Sequence, residues 1–311
     1  MKTYFMSLSS GSSGNCYYLG TDEHAILIDA GIPVKQIKTF LKTAGLPFER
    51  IMAVFVTHDH ADHIKALGNL GEKCAIPVYA TRETHAGINN NYCMTEKLCS
   101  SVHFVEKEKP FSFHEFLITP FEVPHDGTDN VGYKIEIGDK VFCFVTDLGH
   151  ITETASKYIL QANYLIMEAN YDEDMLRMGN YPLFLKNRIV SPQGHLSNKT
   201  TAKFLAQNMT PDLKHIWLCH LSGENNHPEI AYKTVEFELR GVGIIPGKDV
   251  QLTALKRQYS YQLISNYSFA SQPNSQIGAQ LQINYQIPKK TKIGGKYGTD
   301  LTFNYSRISD T

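Results

Sequence analysis

His58, Asp59, His60, Asp62 and His63 crowd into six consecutive residues of the stretch VFVTHDHADHI, Val54 to Ile64. Imidazole and carboxylate at this density are suited to holding metal. His58 and His60 are two apart, so in an extended segment both rings point the same way and can reach one ion. Asp62 and His63 fall where the chain turns into a helix, and their side chains can reach a second ion beside the first. Nitrogen donors with a carboxylate suit Zn²⁺, with Mn²⁺ and iron as further candidates. Asp59, between the ligands, reads as solvated. The competing reading, a polar loop of solvated histidines, fits poorly with so dense a pattern directly behind an apolar run.

That run, IMAVFVT, is continuous and bounded by polar residues, which predicts a buried strand. Upstream, CYYLG and HAILIDAG predict two short strands joined by the turn TDEH. A helix is expected from about Val34 to Ala44, with Ile37, Phe40 and Leu41 on one face and Gly45 as its stop. HIKALGNLGEK begins a second helix, and IPVYAT is another strand. FLITPFEVPHD, NVGYKIEIGDKVFCFVTDLG and NYLIMEAN are strands, with a hairpin turn at Gly138–Asp139. Helical patterns return at TTAKFLAQNM and PEIAYKTVEFELRG, and DVQLTAL is the last strand of the body. Strand-rich stretches broken by helices predict an α+β fold of two mixed sheets with helices outside, an αββα sandwich.

Residues 263–311 differ from the body, 1–262. QIGAQLQINYQIP and TDLTFNYSRI alternate with period two, which predicts a pair of half-buried strands with turns at NSQ and KIGGKYG. Two strands cannot close a membrane barrel, so a β-rich C-terminal appendage without a part in catalysis is expected. The 311 residues carry a net charge of −1, so no global basic field attracts nucleic acid and any polyanion site must be a local patch. None of the six cysteines forms a CxxC pair, and the N-terminal residues hold no apolar run of signal-peptide length. No segment approaches the ~20 apolar residues of a membrane helix. These features predict a cytoplasmic protein with no membrane span and buried free thiols; oligomeric state is left open.

HxHxDH behind an apolar strand resembles the signature of the metallo-β-lactamase fold. LSSGSSGNCYYLG, ILIDAG, THDHADHI, VPHD, VTDLG, MEANYD, NYPLFLKNRI, GHLSN and HLSGENN together resemble the YycJ/WalJ/VicX-type bacterial proteins over about residues 1–262. The resemblance implies a two-metal site. His58, His60 and His125 would hold the first ion, Asp62, His63 and His220 the second, and Asp147 would bridge. His125 sits where a strand meets a loop, Asp147 ends the run FCFV, and His220 follows HIWLC. A buried carboxylate at a strand end needs such a partner. Asp29, ending AILID, would brace the metal loop rather than ligate. His24, His85, His103, His114 and His215 lack a ligand-like setting and read as surface or core histidines.

Two adjacent ions suggest hydrolysis by an activated hydroxide, with Asp62 orienting or deprotonating the water as well as ligating. GHLSN followed by a helix and a strand ending HLS resembles tRNA 3′-processing nucleases of this fold. There a histidine in the place of His195 donates a proton to the leaving group; the alternative is a capping or bracing histidine. SSGSSGN offers Ser12, Ser13 and Asn15 to a phosphate, and SGENN offers Ser222, Asn225 and Asn226; either could be only a turn. Lys186, Arg188, Lys199 and Lys203 flank His195 and form either a basic track or a solvated helix face. The family resemblance implies a nucleic-acid substrate, DNA first, cut by a 5′→3′ exonuclease in repair. A hydrolase of small esters, thioesters or lactams is the second reading. A scaffold with a vestigial site is the third, and the presence of all seven candidate ligands weighs against it.

Overall fold

The structure, a computed structural model, describes residues 2–256 and two strands at 276–287 and 299–310. The chain falls into two compact units, 1–265 and 266–311. The first unit opens with β1 (Tyr4–Ser9), β2 (Cys16–Gly20), β3 (Ala25–Ile28), α1 (Val34–Thr43), β4 (Ile51–Phe55), α2 (Ala61–Ile64), β5 (Val78–Ala80), α3 (Arg82–Asn90) and β6 (Val102–Phe104). It continues with β7 (Phe111–Phe113), β8 (Phe116–Glu122), β9 (Val131–Ile137), β10 (Lys140–Val145), α4 (Glu153–Ile159) and β11 (Tyr164–Glu168). It ends with α5 (Glu173–Met178), α6 (Leu183–Ile189), α7 (Asn198–Asn208), β12 (His215–Cys219), α8 (Pro228–Gly241) and β13 (Gln251–Ala254).

The strands make two mixed sheets. One has the order β1-β2-β3-β4-β5-β6, the other β13-β12-β11-β10-β9-β8-β7. In each, one half is antiparallel and the other parallel: β3, β4, β5 and β6 run together in the first sheet, and β10, β11, β12 and β13 in the second. Strand alternation assigns the layers. From β12, Trp217 and Cys219 join a core between the sheets with Phe5, Tyr17, Phe55, Tyr133, Phe142 and Phe144. Ile216 and Leu218 point the other way, onto a core with α4, α7 and α8. The first sheet packs its outer face on Ile37 and Leu41 of α1 and Ile88 of α3. Helices therefore cover both outer faces, which is the expected αββα sandwich. Strands buried on both faces read as unbroken apolar runs for this reason. The Phe5 and Trp217 rings meet at 4.6 Å across the sheets, and each such buried side chain contributes roughly 1.5–3 kcal/mol.

Beyond the expected elements the structure adds β6, β7, α3, α4, α5 and α6, and two regions differ from expectation. The second helix begins earlier, at Ala61, and is broken: α2 is a single turn, followed by a π-helical turn over Asn69–Lys73. β1 was not expected at all, although all six of its residues are buried. The serines in YFMSLS hide its strand character. In the second unit, β14 (Gln276–Ile287) pairs antiparallel with β15 (Thr299–Asp310), in a register that sets Leu281 opposite Tyr305 and Ile283 opposite Phe303. The expected strand pair is present; the turn KIGGKYG, and NSQ up to Gln276, lie outside the described residues.

The parallel strands aim their C-terminal ends at one place, the position where ligands bind in open α/β sheets. A backbone clasp fixes the helix turn there. Asn15 N donates to Asp62 O at 2.7 Å, Gly31 N to Asn15 O at 2.7 Å and Ala30 N to His63 O at 2.7 Å. At Gly31 a Cβ would lie 1.6 Å from Asp62 O, so only glycine fits. Gly31→Ala is expected to cost about 3 kcal/mol or more, read as a lower melting temperature with reduced metal content. An unchanged melting temperature would show that the clasp is not needed.

Candidate metal centre

The segments after β4, β8, β10 and β12 bring the sequence-predicted ligands together. His58, His60 and His125 form one group, Asp62, His63 and His220 a second, and His58, His63 and Asp147 a third; within each, the ligand atoms lie within 4.8 Å of one another. Asp147 stands between them. Its Oδ2 is 3.3 Å from His63 Nε2, its Oδ1 is 3.1 Å from His220 Nδ1 and 3.6 Å from His125 Nε2. The floor, formed by His58, His63, His125, Asp147 and His220, is buried. Half-buried His60, Asp62, Asp126 and His195 form the mouth.

Each imidazole is held by one nitrogen, leaving the other for the centre. Thr57 Oγ1 is 3.0 Å from His58 Nδ1. Asp29 Oδ2 is 2.7 Å from His63 Nδ1, and His125 Nδ1 donates to Gly194 O at 2.9 Å. Glu168 Oε1 is 3.0 Å from His220 Nδ1 and 2.7 Å from His195 Nδ1. His60 is turned the other way, with Nδ1 3.3 Å from His125 Nε2 and Nε2 3.4 Å from Asp126 Oδ1. Outer partners of this kind fix the orientation of metal-binding histidines. Asp29 also accepts from Thr57 N at 2.8 Å and Thr57 Oγ1 at 2.9 Å. Its φ of 59° and the 53° of His220 are left-handed values that these contacts hold in place.

Charge is arranged to suit cations. Burial works to raise the Asp147 carboxyl, but His220, His63, His58 and His125 overcome it and hold the group well below the carboxylate range. Asp62 is lowered in the same way, mainly by His63 and His220 against burial. Burial pulls His220 down, yet Asp147, Asp62 and Glu168 push it up to about 10. Burial also opposes protonation of His195, but the charge and hydrogen bond of Glu168 raise it. His58 is lowered by burial and by His63. Its Nε2 is buried with no hydrogen-bond partner among the described residues, and so is Asp147 Oδ2. A neutral imidazole nitrogen and a carboxylate oxygen, both buried and unmatched beside further donors, are what a metal satisfies. The donors fit the group, and the cluster is a divalent-metal site.

Glu168 was missed in the sequence. It ends the apolar run NYLIME as Asp29 ends AILID, so the rule that drew attention to Asp29 applied to it equally. Fully buried, it also accepts from Leu148 N and Leu196 N. Asp59 is not solvated, as its position between ligands suggested. It is buried, accepts from Thr128 N at 3.0 Å and Thr128 Oγ1 at 2.5 Å, and its carbonyl accepts from Asn91. It ties the metal loop to α3 and to the loop after His125.

The other sequence-predicted residues divide. Asn15 is buried, and its Nδ2 lies 3.1 Å from Asp62 Oδ2 and 3.0 Å from His63 Nε2. Ser12 and Ser13 are exposed. Ser222 is buried and accepts from Asn225 N. Asn225 is buried with both amide atoms unmatched. Asn226 has its amide nitrogen on Ala169 O, Asn170 O and Asn198 Oδ1, so it holds loops together. Lys186 is half-buried, while Arg188, Lys199 and Lys203 are exposed. Of the remaining histidines, His24 pairs with Glu115 at 2.9 Å and stacks on His114, His85 bonds His103 O, and His215 stacks on Trp217.

A family model described as a beta-lactamase superfamily domain matches residues 24–215. The chain is 36% identical over 249 residues to the exodeoxyribonuclease YycJ of Bacillus anthracis, a match spanning 78% of this chain and 92% of that protein. The chain belongs to the beta-lactamase superfamily and, within it, to the YycJ/WalJ family. It is also 35% identical over 241 residues to the exodeoxyribonuclease WalJ of Streptococcus pneumoniae, covering 76% of this chain and 90% of that one. Zn²⁺-bound PqqB from Methylobacterium extorquens shares the fold, with a TM-score of 0.61 at 19% identity over 85% of this chain and 100% of its own. A second family model, of unknown function, matches residues 251–311. No helix among the described residues of this YycJ/WalJ-family chain is long and apolar enough to cross a membrane.

Glu168→Gln tests the bracing of the centre. An amide cannot accept from both His195 and His220 and from two backbone N–H groups without setting donor against donor. Metal affinity, measured by competition with a chromogenic chelator, is expected to fall about 10- to 100-fold. Unchanged affinity would mean that the carboxylate does not orient the ligands.

Proposed function

We propose that the chain is a metal-dependent nuclease that shortens DNA from its 5′ end. In this reading His58, His60 and His125 hold one ion, Asp62, His63 and His220 hold a second, and Asp147 bridges them. The donor set suits zinc or manganese, with iron the third candidate. When bound, such ions lower the pKa of water and offset charge developing on a phosphodiester. Asp62, half-exposed at the mouth and within 3.3 Å of His220 Nε2, orients the attacking water and takes its proton. His195 protonates the leaving oxygen. The observation that carries this reading is the His195–Glu168 pair beside the metal ligands. With Nδ1 taken by Glu168 at 2.7 Å, Nε2 is the nitrogen that meets a substrate, and the buried carboxylate stabilises the ring in its protonated form.

The walls of the mouth, His60, Asp62, Asp126 and His195, are polar, which counts against a pocket for an apolar acyl substrate. Exposed Ser12 and Ser13 offer hydroxyls to a phosphate, and Lys65 stands beside them with Nζ 3.0 Å from Ser13 O. Asn15 and Asn226 serve by holding Asp62 and the loop after β11, while Ser222 and Asn225 shape the loop beside His220. The reading includes a reducing cytoplasm, supported by six unpaired cysteines, and a role in DNA repair.

The test uses purified protein of known metal content. It is incubated with end-labelled single- and double-stranded DNA and RNA in Mn²⁺ and in Zn²⁺, beside an Asp62→Ala/His63→Ala control. Progressive shortening from the 5′ end, absent in the control, is expected, with DNA the better substrate. His195→Ala is expected to keep its metals and lose about 10²- to 10⁴-fold in rate. Two bound metals without cleavage of any nucleic acid would sink the nuclease reading in favour of esters, thioesters or lactams. Full turnover by His195→Ala would remove the proton donor from it.

A further inference from the structure

We infer that α6 is the platform on which the single strand lies as it enters the metal centre, with Phe184 stacking a base and Arg188 contacting the adjacent backbone; this rests on the nuclease reading above. Helix α6, LFLKNRI, has no buried residue. Leu185 and Ile189 are only half-buried, and two further large apolar side chains face outward, so the helix does little to build a core. Leu183 and Phe184 are 72% and 74% exposed, and Met178, at the end of α5, is 79% exposed. Lys186 Nζ donates to Arg177 O at 2.8 Å, which fastens α6 to α5 and makes the surface continuous. Exposed apolar groups clustered in this way mark an interaction surface.

The position of the helix identifies the occupant. Arg188 Nε donates to Asp126 Oδ2 at 2.5 Å, and Asp126 Oδ1 lies 3.4 Å from both His60 Nε2 and His125 Nε2. Ile189 O accepts from His195 N at 2.9 Å. The last turn of α6 is thereby tied to two candidate ligands and to the candidate proton donor. Phe184 and Arg188 are four residues apart, so they neighbour each other on one face of the helix, about 6 Å along its axis. Residues 181–190, YPLFLKNRIV, carry two cations and no acid. An aromatic ring next to a guanidinium, leading into a phosphodiester-cleaving centre, matches the stacking and charge by which proteins hold single strands without reading sequence. A second copy of this chain would bury the same apolar groups but would not need them aligned with the metal centre.

The experiment compares wild type, Phe184→Ala and Phe184→Trp on a 12-nucleotide single strand and on a dinucleotide. The quantity read is the kcat/KM advantage of the long substrate over the short one, with KM and kcat resolved for each. Phe184→Ala is expected to lower that advantage about tenfold or more, through KM, and Phe184→Trp to restore it, as the loss and return of one base stack. An advantage equal to wild type in Phe184→Ala would overturn the platform while leaving the nuclease reading in place. So would a wild-type dimer, seen by sedimentation, that dissociates in Phe184→Ala. Failure of the wild type to cleave either length would instead remove the nuclease reading and this inference with it. Metal content and melting temperature are measured on every variant, so that a folding defect is read separately from a lost contact.

Discussion

Asp147 and the four buried histidines around it, His58, His63, His125 and His220, must be held together almost out of reach of water, and the rest of the structure follows from that demand. Removing a carboxylate and several imidazoles from solvent is costly unless each finds a partner of opposite charge or a hydrogen bond. Here each imidazole nitrogen turned away from the centre meets a protein acceptor or donor, among them Thr57, Gly194, Asp29 and Glu168. Of the nitrogens turned toward it, His58 Nε2 is left unmatched, His63 Nε2 meets Asn15, Asp62 and Asp147, and His220 Nε2 meets Asp62. Two residues with left-handed backbone, Asp29 and His220, sit at the places where a strand must turn sharply into this cluster. The twin sheets and their apolar cores supply the rigidity that holds such strain.

What was legible in the sequence follows from how locally each feature is encoded. His58, His60, Asp62 and His63 are readable because the helix turn and the strand end that present them are contiguous. The amphipathic helices α7 and α8 and the buried strands β4, β11 and β12 were also plain, since hydrophobic periodicity is a local property. His125, Asp147 and His220 come from three different loops. Each is a single polar residue after an apolar run, and only a resemblance to a known family joined them. The alternation that predicts β14 and β15 is local too, and their register is a continuous antiparallel ladder.

The misses have physical causes. Asp59 looked solvated because its neighbours are polar, but its partner Thr128 is 69 residues away and no local pattern announces it. The stretch after α2 packs closely on its neighbours: a Cβ at Gly68 would lie 2.2 Å from Glu96 O, and one at Gly71 2.4 Å from Ser101 Oγ, so glycine is needed at both places, which an apolar pattern does not announce. β1 escaped notice because Ser7 and Ser9 interrupt its apolar character, although the strand is buried throughout.

Glu168 and Asp29 expose a rule of construction that unites the two halves. Each sheet ends one of its parallel strands with a fully buried carboxylate, Asp29 just after β3 and Glu168 as the last residue of β11. Among the described residues Asp29 falls in no group of potential ligands, whereas Glu168 falls in a fourth, with Asp147, His195 and His220. Asp29 grips His63, which was read as a ligand from the first sheet's loop; Glu168 grips His220, a candidate ligand from the second sheet, and His195 as well. In the proposed reading the first carboxylate would serve metal binding alone, and the second would couple binding to the candidate proton donor. Because His195 and His220 share one oxygen of Glu168, the charge that orients the ligand is the charge that favours a protonated His195. A change in one of these two histidines must be felt by the other, whereas the Asp29–His63 pair is free to act as a fixed brace. In the proposed reading the asymmetry would put the proton donor on the second sheet, beside α6, and leave the water-orienting Asp62 with the first.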